Sequence, residues 1–138
     1  MDFSMGILLL LYMILLAFGM MITPGVGISG SLIVLLPQWV TESSHAPAYG
    51  LLAWLMTSGL IWRGWPFRYA VPVAMAGAMV FGLWMEIIQG MIPGRSTSTD
   101  DLMANGIGIG LAMIVMCWRS TRAAGQNEIV TDQHVQTA

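Results

Sequence analysis

The feature that most constrains the fold is a run of twenty residues without a charge, from Phe3 to Ile22. A helix rises about 1.5 Å per residue, so this run covers the roughly 30 Å hydrocarbon core of a bilayer. Further apolar runs extend from about Pro47 to Trp62, from about Phe67 to Gln89 and from about Asp101 to Trp118. In lipid, a helix satisfies its own backbone hydrogen bonds. We therefore expect an all-α integral membrane protein, built as a bundle of four transmembrane helices.

The composition supports a membrane protein. Only 9% of the residues are charged, whereas ordinary soluble domains carry about 25%. The chain has a net charge of −2 and no lysine, so it lacks the basic surface that nucleic-acid binding requires. The expected partners are membrane lipids and a membrane-protein partner or larger complex.

The chain divides into two parts. Residues 1–118 are expected to form the transmembrane domain, and residues 119–138 form a polar cytoplasmic tail. A segment near 28–37 is bounded by glycines and a proline and is too short to span a bilayer. This segment is predicted to be re-entrant or interfacial.

The arginines predict the orientation of the spans. With four spans, Arg63, Arg68, Arg119 and Arg122 fall on one side and Arg95 on the other. Cytoplasmic loops of membrane proteins carry an excess of arginine and lysine. Both termini are therefore expected in the cytoplasm, with the protein in the bacterial inner membrane.

Polar residues are concentrated where spans two, three and four reach the outer side. Six of them are expected to meet there, and we call them the polar cluster: His45, Glu86, Gln89, Arg95, Asp101 and Asn105. Intramembrane ionisable residues are costly, and they commonly mark functional sites. The sequence also allows structural explanations for three members. Asp101 could complete a capping box with Ser98, Asn105 could join helices, and His45 could be a solvated helix end.

Small residues recur every four positions along the third span, from Ala70 to Gly90, except that Glu86 takes one place in the series. Membrane helices approach each other closely where such residues share a face. The predicted helix-packing positions, including a Gly-x-x-x-Gly pair in the fourth span, are Ala74, Ala78, Gly82, Gly106 and Gly110.

No sequence motif indicates a metal or a cofactor. Cys117 is the single cysteine, so neither an internal disulfide nor a cysteine-based zinc spacing is possible. No nucleophile elbow, His-Glu-x-x-His motif or phosphate loop is present. We therefore expect no cofactor and no metal, and enzyme activity is the least favoured function.

The polar cluster resembles the signature of a known family. The pattern is Glu86-x-x-Gln89-x5-Arg95-x5-Asp101-x3-Asn105-x-x-Gly108, with Pro93-Gly94 before the arginine. It is similar to the VanZ-like family of small integral membrane proteins, named for an accessory factor of glycopeptide antibiotic resistance. The segment His45-Ala-Pro-Ala-Tyr49 is a weaker match, because Thr-Glu-Ser-Ser precedes His45 where the family often has Asp-Lys. The resemblance implies a cell-envelope membrane protein and no particular reaction.

Three functions are compatible with this pattern. The first is binding of a lipid or cell-envelope precursor headgroup, in a role resembling glycopeptide resistance, with Arg95 contacting phosphate or carboxylate. The alternative is a non-catalytic accessory or assembly subunit of a respiratory, photosynthetic or wall-synthesis complex. The third is an envelope-lipid enzyme in which Glu86 and Asp101 act as acid and base.

Overall fold

The computed structural model describes residues 3–22, 35, 44–92 and 99–136, and within these ranges the side chains of residues 4 to 122. These residues form four helices and no strand: α1 (Phe3–Met21), α2 (His45–Trp62), α3 (Phe67–Gly90) and α4 (Thr99–Gln136). The all-α prediction is confirmed. Arg95 lies outside the described residues, as does the segment near 28–37 apart from Leu35, so the re-entrant segment stays a prediction.

Three helices are long and apolar enough to cross a membrane: Ser4–Met21, Phe67–Gly90 and Thr99–Arg122. Large apolar side chains on these helices point outward, and Leu15, Phe18 and Val80 are each about two-thirds exposed or more. Exposed apolar surface on this scale indicates a membrane or a partner rather than water. These three helices confirm the prediction of a membrane protein. The number of spans and their orientation stay predictions.

The second helix is the most enclosed of the four described helices. It packs against α1, α3 and α4, and it is not among the three helices that qualify as spans by hydropathy. His45, Tyr49 and Thr57 are buried along it. These residues face protein rather than lipid, so α2 can carry polar groups that a lipid-facing helix could not.

Contacts between helices establish their directions. Tyr12 near the middle of α1 donates a hydrogen bond to the carbonyl oxygen of Ala48 (2.8 Å). The Tyr49 hydroxyl approaches the sulfur of Met20 at 3.4 Å, so the end of α1 lies beside the start of α2. The rings of Tyr49 and Phe81 are 6.3 Å apart, which places the second half of α3 at the same level. The four helices therefore alternate in direction.

This alternation separates two ends of the bundle. We call one the polar end, where α1 and α3 end and α2 and α4 begin. We call the other the arginine end, where α2 ends and α1 and α3 begin. The start of α1 lies close to Arg63 there, since a Cβ built on Gly6 would be 3.5 Å from a guanidinium nitrogen of Arg63. There the guanidinium of Arg119 lies 5.6 Å from the ring centre of Trp54.

The closest helix approach is between α2 and α4. A Cβ added to Gly108 would overlap the carbonyl group of Ala46, and one added to Gly50 would lie 2.9 Å from the carbonyl oxygen of Gly108. The predicted Gly106–Gly110 pair does not make this contact: a Cβ at Gly106 meets only the Met79 side chain, and one at Gly110 meets nothing within 4 Å. The stripe on α3 is buried as expected, with Ala74 and Ala78 fully buried and Gly82 also buried.

The last helix continues beyond the predicted end of its span. α4 extends through 38 residues to Gln136, about 57 Å at the usual helical rise of about 1.5 Å per residue. Within it, Thr99–Arg122 is long and apolar enough to span a membrane. The predicted polar tail from Arg119 is thus largely a continuation of the same helix, because the sequence after Arg119 contains no proline and no glycine pair. Its cytoplasmic location stays a prediction.

Candidate functional site

Five members of the polar cluster lie in the described residues, and all five gather at the polar end. His45 begins α2, Glu86 and Gln89 lie in the last turns of α3, and Asp101 and Asn105 lie in the first turns of α4. Gln89 and Asn105 are almost fully buried, Glu86 and His45 are buried, and Asp101 is half-buried. The site is therefore built by three helices and reaches the surface through Asp101.

A buried hydrogen bond connects α2 to α4 within the site. The Nδ1 atom of His45 lies 3.3 Å from Oδ1 of Asn105. An amide oxygen only accepts hydrogen bonds, so Nδ1 must be the donor. In the neutral ring this leaves Nε2 with a free lone pair. His45 is 9% exposed, which agrees with membership of the cluster rather than with a solvated helix end.

Two carboxylates lie close to this imidazole. His45, Glu86 and Asp101 each have one atom that could coordinate a metal ion, and these three atoms lie within 4.8 Å of one another. Glu86 reaches this position because it continues the buried stripe of Ala74, Ala78 and Gly82 on α3. Carboxylates this close repel each other, so the arrangement favours a positive charge beside them.

Gly82 provides the space that Asn105 occupies. A Cβ at Gly82 would lie 3.1 Å from Nδ2 of Asn105 and 3.1 Å from Cε1 of Tyr49. Both contacts are tighter than ordinary van der Waals separations, so a side chain here would displace the amide or the tyrosine ring. The sequence predicts Gly82 only as a packing residue. Its second role, shaping the polar end, depends on which side chains face it across the bundle.

The first helix also contributes to the site, which sequence reasoning missed. Nε2 of Gln89 donates a hydrogen bond to the carbonyl oxygen of Met20 at 3.1 Å. The last carbonyls of a helix have no partner within that helix, and α1 ends at Met21. Gln89 therefore caps α1 and attaches it to α3. No polar residue in α1 near Met20 could have revealed this contact.

Comparison with known proteins gives no match: no family model fits the chain, and no curated protein or solved structure is significantly similar to it. The similarity of the motif residues to the VanZ-like signature therefore stays a prediction. The function of the polar cluster is inferred from its own residues and their placement.

Proposed function

We propose that this chain is a VanZ-like membrane protein whose polar cluster binds the headgroup of a membrane lipid or of a lipid-linked cell-envelope precursor. One observation carries the proposal. Polar side chains from three helices gather at one end of a bundle whose outer surface is apolar. Burying such groups is costly in a membrane protein, and they commonly mark a binding or transport site.

The residues suit a phosphate-bearing headgroup. Arg95 is the permanent cation that the sequence predicts for the cluster, and a guanidinium binds phosphate through two parallel hydrogen bonds. Asp101 is half-buried, so a ligand can approach the cluster beside the start of α4. The amides of Gln89 and Asn105 add neutral donors and acceptors. A phospholipid and a lipid-linked wall precursor share this phosphate chemistry.

Arg95→Ala is expected to weaken headgroup binding by at least about tenfold. A hydrogen bond to a charged group contributes about 1.5–3 kcal/mol, and about 1.4 kcal/mol corresponds to a factor of ten in affinity. The measurement is the dissociation constant of the purified protein for undecaprenyl phosphate, with phosphatidylglycerol as the second probe. Tighter binding of undecaprenyl phosphate would indicate a lipid-linked envelope precursor as the ligand, and tighter binding of phosphatidylglycerol would indicate a phospholipid.

The matched control is Arg63→Ala, which removes the same charge from the turn at the arginine end. This variant should bind both probes as the wild type does. Unchanged affinity in Arg95→Ala, or an equal loss in Arg63→Ala, would contradict a headgroup site that uses Arg95.

We also propose that all four helices cross a bacterial inner membrane, with both termini in the cytoplasm. The described arginines support this orientation: Arg63 follows the end of α2, Arg68 lies in the first turn of α3, and Arg119 and Arg122 lie in α4 beyond Trp118, all toward the arginine end. Such residues are enriched on the cytoplasmic side. α2 runs from the polar end to the arginine end between the three apolar helices, which supports a fourth span.

Cysteine labelling is expected to place the two ends of α4 on opposite sides of the membrane. Thr99 and Ser120 are both exposed and lie about 30 Å apart along the helix at about 1.5 Å per residue. In a Cys117→Ala background, Thr99→Cys should react with a membrane-impermeant maleimide in intact cells. Ser120→Cys should react only after permeabilisation. The reverse pattern, or labelling of both from outside, would refute the orientation.

A second candidate is a non-catalytic subunit of a membrane complex, in which the polar cluster joins helices. One observation favours it: among the described residues, no side-chain nitrogen or oxygen atom that is fully shielded from solvent lacks a hydrogen-bond partner. A closed network of this kind stabilises a helix bundle without any ligand. If the wild type binds neither lipid probe and purifies in mild detergent with a stoichiometric partner, this second function is supported.

A further inference from the structure

We infer that His45, Glu86 and Asp101 bind a divalent transition-metal ion at the polar end. Each side chain supplies one donor atom, and the three atoms lie within 4.8 Å of one another. They come from three different helices, α2, α3 and α4. The metal site goes beyond the headgroup proposal and does not rest on it.

The spacing of the donor atoms suits a single ion. Zinc binds imidazole nitrogen and carboxylate oxygen at about 2.0–2.2 Å, so neighbouring ligand atoms in a tetrahedral site lie about 3.4 Å apart. Separations of at most 4.8 Å therefore need only small side-chain rotations to reach bonding distance. Since His45 and Glu86 are buried, the helices already hold these two side chains in place.

The environment of His45 is that of a metal ligand. A ligating histidine usually donates its second ring N–H to an oxygen acceptor, which sets the tautomer and orients the ring. Here Nδ1 of His45 lies 3.3 Å from Oδ1 of Asn105, and Asn105 is 1% exposed. This hydrogen bond leaves Nε2 to coordinate the ion. A purely structural bond between α2 and α4 would not explain two carboxylates beside the same imidazole.

The donor set selects a class of metal. One imidazole nitrogen and two carboxylate oxygens suit zinc, manganese or ferrous iron. A thiolate site for soft ions is excluded, because Cys117 is the chain's only cysteine and lies near the arginine end of α4. Three protein ligands leave at least one coordination position open. Water or a phosphate oxygen could take that position.

Sequence motifs could not have revealed this site. Recognisable metal motifs place their ligands a few residues apart on one helix or loop. His45, Glu86 and Asp101 belong to separate helices, and only the packing of those helices brings them together. The expectation of no metal rested on linear spacing alone.

The test measures metal binding to the full chain in mild detergent, purified with a histidine-free tag and stripped with a chelator. Zn²⁺ and Mn²⁺ are titrated separately, and the bound ion is counted by elemental analysis. We expect about one ion per chain for at least one metal. His45→Gln and Asp101→Asn should each weaken binding by at least about tenfold, since even outer-sphere changes cost 10- to 100-fold.

Two matched controls accompany these variants. His134→Gln removes the only other histidine, and Asp100→Asn removes the exposed carboxylate next to Asp101. Both should bind the metal as the wild type does. Equal losses in the controls, or no stoichiometric ion in the wild type, would overturn the proposal.

A second readout avoids dependence on the folding of the variants. Co²⁺ added to the wild type should produce the visible absorption bands of a site with nitrogen and oxygen ligands, and excess Zn²⁺ should abolish them. Arg95→Ala should keep these bands even if it loses undecaprenyl phosphate, so failure of the headgroup proposal is distinguishable from failure of the metal site. Absence of the bands in the folded wild type would count against the metal site.

Discussion

Gly108→Ala is expected to destabilise the bundle by about 3 kcal/mol, which lies at the upper end of the usual cost of overpacking. The added methyl group would overlap the carbonyl group of Ala46. A backbone carbonyl cannot rotate out of the way as a side chain can, so α2 and α4 would have to move apart. The measurement is the free energy of unfolding in detergent micelles, followed by circular dichroism.

Gly110→Ala is the matched control for this prediction. It makes the same change two residues later in the same helix, where a Cβ would meet nothing within 4 Å. Alanine is the better helix former by about 1 kcal/mol in soluble helices, so this variant should be as stable as the wild type or slightly more stable. Equal destabilisation of the two variants would show that the close approach at Gly108 is not the cause.

Asn105→Leu is expected to destabilise the polar end by about 1–3 kcal/mol, the usual cost of leaving a buried hydrogen-bonding group without its partner. Leucine keeps the branched shape of asparagine but removes the oxygen that accepts from Nδ1 of His45. The free energy of unfolding of the metal-free protein is the quantity to measure.

A double-mutant cycle isolates the His45–Asn105 interaction from changes in packing. Comparing His45→Leu, Asn105→Leu and the double variant should give a coupling of about 1 kcal/mol, within the range of hydrogen bonds measured between membrane helices. Thr57→Val is the control partner for His45→Leu. Thr57 donates to the carbonyl oxygen of Ala53 in its own helix, so the two changes should be additive. A coupling near zero between His45 and Asn105 would rule out the bond as a determinant of the polar end.

Part of the site was predictable because helical periodicity is a local property. Residues four apart share a helix face, so the small-residue stripe on α3 correctly predicted that Ala74, Ala78, Gly82 and Glu86 are buried together. Successive spans cross a membrane in opposite directions, so the second and fourth spans were expected to start on the same side. This likewise placed His45 at the same level as Asn105. Arg95 cannot be judged in this way, because it lies outside the described residues.

Another part was not predictable, and Gly108 illustrates why. Three glycines occur at positions 106, 108 and 110 of α4, and each could have met a neighbouring backbone. Glycine has no side chain to indicate which face is buried, so the choice depends on the rotation of α4 against α2. In the structure only Gly108 meets the backbone of α2.

The amino-acid sequence by itself determined that the described chain is all-helical and that three of its helices can cross a membrane, because length and apolar composition act within each segment. Only the tertiary structure decided that α2 lies among the other three helices, that Gln89 caps α1 through Met20, and that His45, Glu86 and Asp101 come within 4.8 Å. These features depend on how helices pack against one another. Packing is set by the combined shapes of several surfaces, and no single segment carries that information.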